Sequence, residues 1–355
     1  MTSPCFAVRL AAALLMFSAA PVVSADPPAV FPWDGLVPEK LPVGVRPPKG
    51  SPAEVIAVLG QRGDKIDCVA IRPDGKFLAL GGPDQIVRMW DLAKPRLSAT
   101  LKLPQPIVCL AFSPDGKTLA AGEAAGQIRL IKFEGGGLAT KMVFPAHKDM
   151  PIWTVAFSPD GARLYSAARD KSAAAWDVSK AKPVRVATFD GHEIQARCLS
   201  LSADGGLLAT VGDQDKSLRW WNLADGNTKP AGSLKLSDRV VSVAVSPDGK
   251  NVAVAGAKGV PALFERKEEA LSKTALLETD GHAATSLVYS PDSERLAGIS
   301  VLSATEDRVL IWDAKGAIRQ EFKCERHLQA VAFAPDGKHL IVITETEPLI
   351  VRLPK

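Results

Sequence analysis

Seven times along the chain, large and small apolar residues alternate and then run into a polar turn. The turns carry aspartates at positions 74, 115, 160, 204, 248, 292 and 336, at intervals of 41, 45, 44, 44, 44 and 44 residues. Three residues before each aspartate stands a large apolar side chain: Ile71, Phe112, Phe157, Leu201, Val245, Tyr289, Phe333. Five before it stands an aliphatic one: Val69, Leu110, Val155, Leu199, Val243, Leu287, Val331. Between them the residue is small in six copies, and Val288 is the exception. Period-two alternation predicts a β-strand. The lack of charge on either face predicts that it is covered on both sides, large residues of one sheet fitting over small residues of the next.

A second apolar run follows each turn, as in Phe77-Leu78-Ala79-Leu80 and Thr118-Leu119-Ala120-Ala121. A third ends on a large residue 16 or 17 positions past the aspartate: Trp90, Ile131, Trp176, Trp221, Phe264. In the sixth copy that residue is Trp312, 20 positions on, which places a short insertion near Ser300 to Glu306. A regular period in the low forties with several strands per period predicts an all-β propeller built from four-stranded antiparallel blades. Leu349 to Leu353 reads as the third strand of the last blade, with no fourth after it. Glu54 to Leu59 precedes the first blade and is expected to supply that strand and close the ring, which removes two open sheet edges.

Trp90-Asp91, Trp176-Asp177, Trp312-Asp313 and the related Trp221-Asn222 resemble the Trp-Asp pair of the WD-repeat family. Gly191-His192, Gly281-His282 and Ala146-His147 resemble that family's Gly-His pair. The resemblance covers all seven repeats and implies a seven-bladed β-propeller over residues 53–355, of an exported, bacterial type. It also implies a buried polar cluster of His, Ser or Thr, Asp and Trp. By spacing, blade three has His147, Ser166, Asp170 and Trp176, and blade four has His192, Thr210, Asp215 and Trp221. In such a set carboxylate, imidazole and indole satisfy one another, where a single member left alone would be a costly orphan. Blade one keeps Asp84 and Trp90 without the His. Blades two, five and seven have neither Asp nor Trp and are expected to rest on packing alone. His282 matches a structural position, and His327 is a candidate for another.

The first 52 residues differ in kind. Arg9, the apolar stretch Leu10 to Val23 and Val23-Ser24-Ala25 read as a secretory signal peptide over residues 1–25, cut after Ala25. That places the mature chain in the periplasm or outside the cell, without membrane insertion. Residues 26–52 hold eight prolines and read as an extended tether. Composition adds only exclusions. The chain has 355 residues, 46% of them hydrophobic and 23% charged, as a globular protein has. Its net charge of +4 is dispersed, without the basic stripe that a nucleic-acid binder shows.

Candidate chemistry is sparse. No CxxC, HxH, HExxH or GxSxG occurs, so neither metal nor cofactor is expected. Cys68, Cys109 and Cys198 share one register, six before the turn aspartate, where the other blades have Thr154, Ser242, Ser286 and Ala330. The position is expected to want a small side chain beside the channel, with thiols too far apart to bridge. Cys324 falls on an outer strand. The seven aspartates read as turn formers, Pro presetting φ, Asp bonding its own backbone and Gly taking positive φ.

One register breaks the pattern. Seven before the turn aspartate stand Asp67, Val108, Trp153, Arg197, Val241, Thr285 and Gln329. With Lys148, Glu193 and Arg239 in the preceding loops, they are expected to rim one end of the channel. Trp and Arg are the residue types enriched at binding hot spots, and the resemblance implies that partners bind there. Trp153, Arg197, Arg239, Asp67 and Gln329 are the candidate binding residues; Trp220 is assigned to the core. The favoured function is a non-enzymatic, monomeric scaffold for a protein or peptide partner. The alternatives are a lactonase-like propeller hydrolase, or an accessory to exported redox proteins, with a site at the channel mouth.

Overall fold

The computed structural model of the protein describes residues 65–94, 96–224, 226, 228–256, 261–301, 306–324, 327–344 and 348–354, together with the backbone of Glu54–Val58. The expected signal peptide and tether lie outside the described residues, as do Leu59 and most of the proposed blade-six insertion.

Among the described residues every helix or strand is a strand, and 28 of them form seven four-stranded antiparallel sheets. In six blades the strands follow chain order from the inside out. The seventh is composite: Leu328–Phe333, His339–Thr344 and Pro348–Arg352 are joined by Glu54–Val58 as the outermost strand. Glu54 pairs with Arg352 and Val58 with Leu349, so the ring closes as the strand count predicted. No helix of the described residues is long and apolar enough to cross a membrane.

The turns work as their residues dictate. Gly75, Gly116, Gly161, Gly205, Gly249 and Gly337 all have φ between 65 and 72°, and Ser293 takes the same conformation at 65° in the copy that lacks the glycine. Each turn aspartate accepts a backbone N–H two residues on, at 2.8–3.1 Å.

The core lies between blades. One cluster joins Cys109, Leu110's neighbour Ala111 and Leu130 of blade two to Val155, Phe157 and Trp176 of blade three. Another joins Ala244 and Leu263 of blade five to Tyr289 and Trp312 of blade six. A single blade cannot bury both of its faces, which is why the array must close on itself.

The small register six before each aspartate does more than leave room. In four blades it also bonds the next blade. The Cys109 thiol donates to the Ile152 carbonyl of blade three at 3.3 Å, and the Cys198 thiol to Val243 of blade five at 3.6 Å. The Ser242 and Ser286 hydroxyls accept the Leu287 and Val331 amides of the following blades at 2.9 and 3.1 Å. Space is tight there too: a Cβ on Gly122 would lie 2.5 Å from the Cys109 sulfur. Cys324 is buried on the outer strand of blade six.

Candidate functional site

The inner strands set one register apart from its neighbours. In blades two, three, four, five and seven the pairing of the inner strand with its neighbour slips by one residue. The slips span Ile107/Cys109, Ile152/Thr154, Ala196/Cys198, Val240/Ser242 and Leu328/Ala330. The extra residues are therefore Val108, Trp153, Arg197, Val241 and Gln329. A bulge leaves its extra residue unpaired and re-aims its side chain. In blade six the irregularity is longer, from Thr285 to Val288, and Ser286 has φ of 55°.

Two of these residues meet. The Arg197 guanidinium carbon lies 3.9 Å from the centroid of the Trp153 ring, across the boundary between blades three and four. Arg197 is 1% exposed, and its Nε and Nη2 have no hydrogen-bond partner among the described residues. Burial pulls its pKa down to about 9, against the raising field of Asp213 and with a smaller lowering contribution from Arg239. The nearby acid is already engaged. Asp213 takes Arg239 in a fork, Nε to Oδ1 and Nη2 to Oδ2 at 2.7 Å each, and accepts the Gln195 side-chain amide at 3.1 Å. Charge-assisted fork pairs of this kind are strong and geometrically fixed. Asp213 and Gln195 are the members that the sequence pattern did not single out, because neither falls in the repeated register; both are buried.

The other candidate residues stand apart from this pair. Gln329 is half-buried, with its Oε1 unbonded among the described residues. Asp67 is half-buried on blade one; burial, and then the Asp84 carboxylate, push its pKa up to about 6. Glu193 contributes its backbone amide to Asp215 at 3.1 Å, and Lys148 is exposed. Trp220 is buried against Val240, Val243 and Phe264, and its indole N–H donates to the Glu269 carbonyl at 2.7 Å.

The polar clusters form, with one departure. In blade three, His147 Nδ1 is 2.9 Å from Asp170 Oδ2 and its Nε2 is 2.7 Å from Ser166 Oγ, which also accepts the Trp176 indole N–H at 2.9 Å. In blade four, His192 bridges Asp215 at 3.0 Å and Thr210 at 2.7 Å. There Trp221 turns away and donates to the Thr228 carbonyl at 3.1 Å. Burial raises the Asp215 pKa, but the His192 hydrogen bond and charge, the Glu193 amide and the Ser217 hydroxyl outweigh it and hold it at about 2. Ser166, His147 and Asp170 stand in the geometry of a hydrolytic triad. Ser166 is fully buried, however, and its hydroxyl is already engaged by both His147 and Trp176, so no substrate reaches it.

Elsewhere the substitutes are ionic. Blade two does not rest on packing alone: buried Glu123 accepts Arg129 Nε at 2.7 Å. In blade one Asp84 pairs with Arg88 at 2.6 Å. In blade six His282 Nδ1 lies 3.2 Å from the Thr279 carbonyl oxygen, while Arg308 reaches Asp280 and Glu321 at 2.9 and 3.1 Å. Blade seven has a hydrogen bond at its turn, His339 Nδ1 to Asp336 Oδ2 at 2.6 Å. No group of three His, Cys, Asp or Glu side chains among the described residues is placed to hold a metal ion.

Comparison with known proteins agrees with this architecture. Residues 53–91, 96–132, 139–177 and 183–222 each match the WD40 model, "WD domain, G-beta repeat". The chain is 25% identical to nuclear distribution protein PAC1 of Arthroderma otae over 306 residues, 81% of this chain and 58% of that one. It is 28% identical to protein groucho of Drosophila melanogaster over 196 residues, 55% of this chain and 20% of that one. It is 25% identical to WD40 repeat protein poxJ of Penicillium oxalicum over 193 residues, 53% of this chain and 52% of that one. The matched region thus spans from a fifth to somewhat over half of these relatives. Four stretches of the chain thus resemble WD40 repeats, and its seven four-stranded sheets form a seven-bladed β-propeller.

Proposed function

We propose that the chain is a non-enzymatic scaffold that holds a protein or peptide partner at the end of its channel where Trp153 and Arg197 stand. The observation that carries this is the stacked pair itself. A large aromatic ring and a guanidinium, re-aimed by adjacent bulges, meet at a register where two of the other blades place valine. A buried cation without a hydrogen-bonded acceptor costs folding energy. Aromatic and arginine anchors in nearly desolvated surroundings are the usual carriers of interface energy. One of the named relatives is called a WD40 repeat protein, which is consistent with a scaffold. Export to the periplasm or beyond, read from residues 1–25, is the setting we propose, with the proline-rich segment as tether.

The test is capture of partners by the tagged mature chain from its own extracytoplasmic extract, beside a Trp153→Ala variant of unchanged circular dichroism. A partner retained by the wild type, identified, and rebinding as a purified protein at least tenfold more tightly than to the variant is the expected result. Equal rebinding by both would remove the site from this end of the channel.

A further inference from the structure

Arg197 poses a specific question of acceptors. The residue is 1% exposed, and the Trp153 ring covers one face of its guanidinium at 3.9 Å. Nε and Nη2 lie in the guanidinium plane, away from that face, and neither is hydrogen-bonded among the described residues. The acid that would normally take them is spent. Both oxygens of Asp213 are engaged by Arg239, and one also by Gln195. Two arginines thus share one carboxylate, leaving one positive charge in a place of low dielectric with donors waiting. Leaving such donors unmade costs folding free energy, and more so for a charged group. An added acceptor would recover that energy.

We propose that Arg197 receives a carboxylate from a partner peptide, an Asp or Glu side chain entering the channel mouth beside Trp153 and Arg239. The proposal rests on the partner-binding function proposed above and names the chemistry that function uses. A carboxylate matches the fork of a guanidinium in both shape and charge. Arg239, whose side chain is 37% exposed, and half-buried Trp153 mark the side of approach. The surroundings also specify a peptide over a free acid. Met150 and Ile194 stand three residues before Trp153 and Arg197, in equivalent loops of successive blades, and each is 41% exposed. Two exposed apolar side chains at the same offset before the stacked pair fit an acidic residue flanked by apolar ones. A small free carboxylate would leave them uncovered.

The probe is a random library of linear dodecapeptides displayed on phage, selected against the immobilised full chain. Enrichment of Asp or Glu at one position, with apolar neighbours, is expected. Replacing that residue by Asn or Gln in the synthetic peptide should weaken binding at least tenfold, a test that needs no variant of the protein. Against Arg197→Gln, checked by its melting curve, the acidic and amide peptides should bind alike; should that variant not fold, Arg197→Lys should keep part of the acid preference. Selected peptides with no acid enrichment, or with an acid whose amide binds equally, would overturn the carboxylate and leave the scaffold function standing. No selected peptide, together with no binding of N-acetylglutamate, would overturn both. Micromolar binding of N-acetylglutamate with no peptide selected would overturn the peptide source.

Discussion

Arg197 stacks on Trp153 across a blade boundary, its guanidinium carbon 3.9 Å from the ring centroid. Each side chain is the extra residue of a bulge in its own inner strand. The contact therefore depends on two local irregularities and on the docking of two sheets. A cation over an indole face in partly desolvated surroundings is worth about 1–2 kcal/mol. Trp153→Ala should destabilise the chain by about that amount in urea titration, while Trp153→Phe, which keeps a ring, should lose less than half of it. Equal losses would mean that packing volume, not the charge–ring contact, matters.

The two histidine clusters should differ in cost. The Asp215 side chain is 1% exposed and that of Asp170 is 22% exposed. Removing the partner of a fully buried carboxylate costs about 3–5 kcal/mol, whereas a carboxylate with access to water recovers part of its solvation. His192→Ala should cost about 3 kcal/mol and His147→Ala about half of that, both read from chemical denaturation.

Asp67 gives a pH dependence of defined sign. Its folded pKa of about 6 lies above its ordinary 3.8, so the folded state holds the proton more tightly than the unfolded state. Stability from this group is greatest below pH 4 and is lost as pH rises through 6. Asp67→Asn should be more stable than the wild type at pH 7.5, by about 2 kcal/mol, and the gap should close by pH 4. A constant gap across that range would show that Asp67 titrates normally. Asp215 acts in the opposite sense: with its pKa held at about 2, its contribution is present above pH 4 and disappears as pH falls through 2.

The inter-blade thiols should be inert in the folded chain. Burial raises the pKa of Cys68 well above the ordinary range and that of Cys109 to about 12. Thiolate is the reactive form. Iodoacetamide at pH 8 should leave both unmodified in the native protein over an hour and alkylate them once guanidinium unfolds it, as peptide mass mapping would read. Labelling of Cys109 in the native state would contradict its place between blades.

Ring closure should be measurable as well. Removing the chain through Val58 strips the outer strand from blade seven and bares Pro348–Arg352 as an edge. Such edges invite pairing with other chains. The truncated protein should melt about 5 °C lower or more and show concentration-dependent association in light scattering. An unchanged monomer would mean that the last blade does not need this strand.

Much of this molecule is written in local pattern. Seven Pro-Asp-Gly-like turns, the big–small alternation before them and the missing last strand set the blade count, the strand order and the composite closure. They do so because turn geometry and side-chain alternation are properties of a few adjacent residues. The members of the blade-three and blade-four clusters were also legible, since each has a fixed offset from its turn. Contacts between blades were not. Local pattern placed Cys109 beside the channel, but its thiol bonds Ile152 of the next blade, 43 residues on. Blade two looked like packing alone, but it buries Glu123 against Arg129. Spacing put Trp221 with Thr210, yet its indole found the Thr228 carbonyl instead. The bulges decided most. A one-residue slip in pairing reverses which way a side chain faces, and only the docked sheets determine where the slip falls. The sequence alone set the propeller; the tertiary structure brought Trp153 to Arg197, gave Asp213 to Arg239, and left a buried guanidinium with donors to offer.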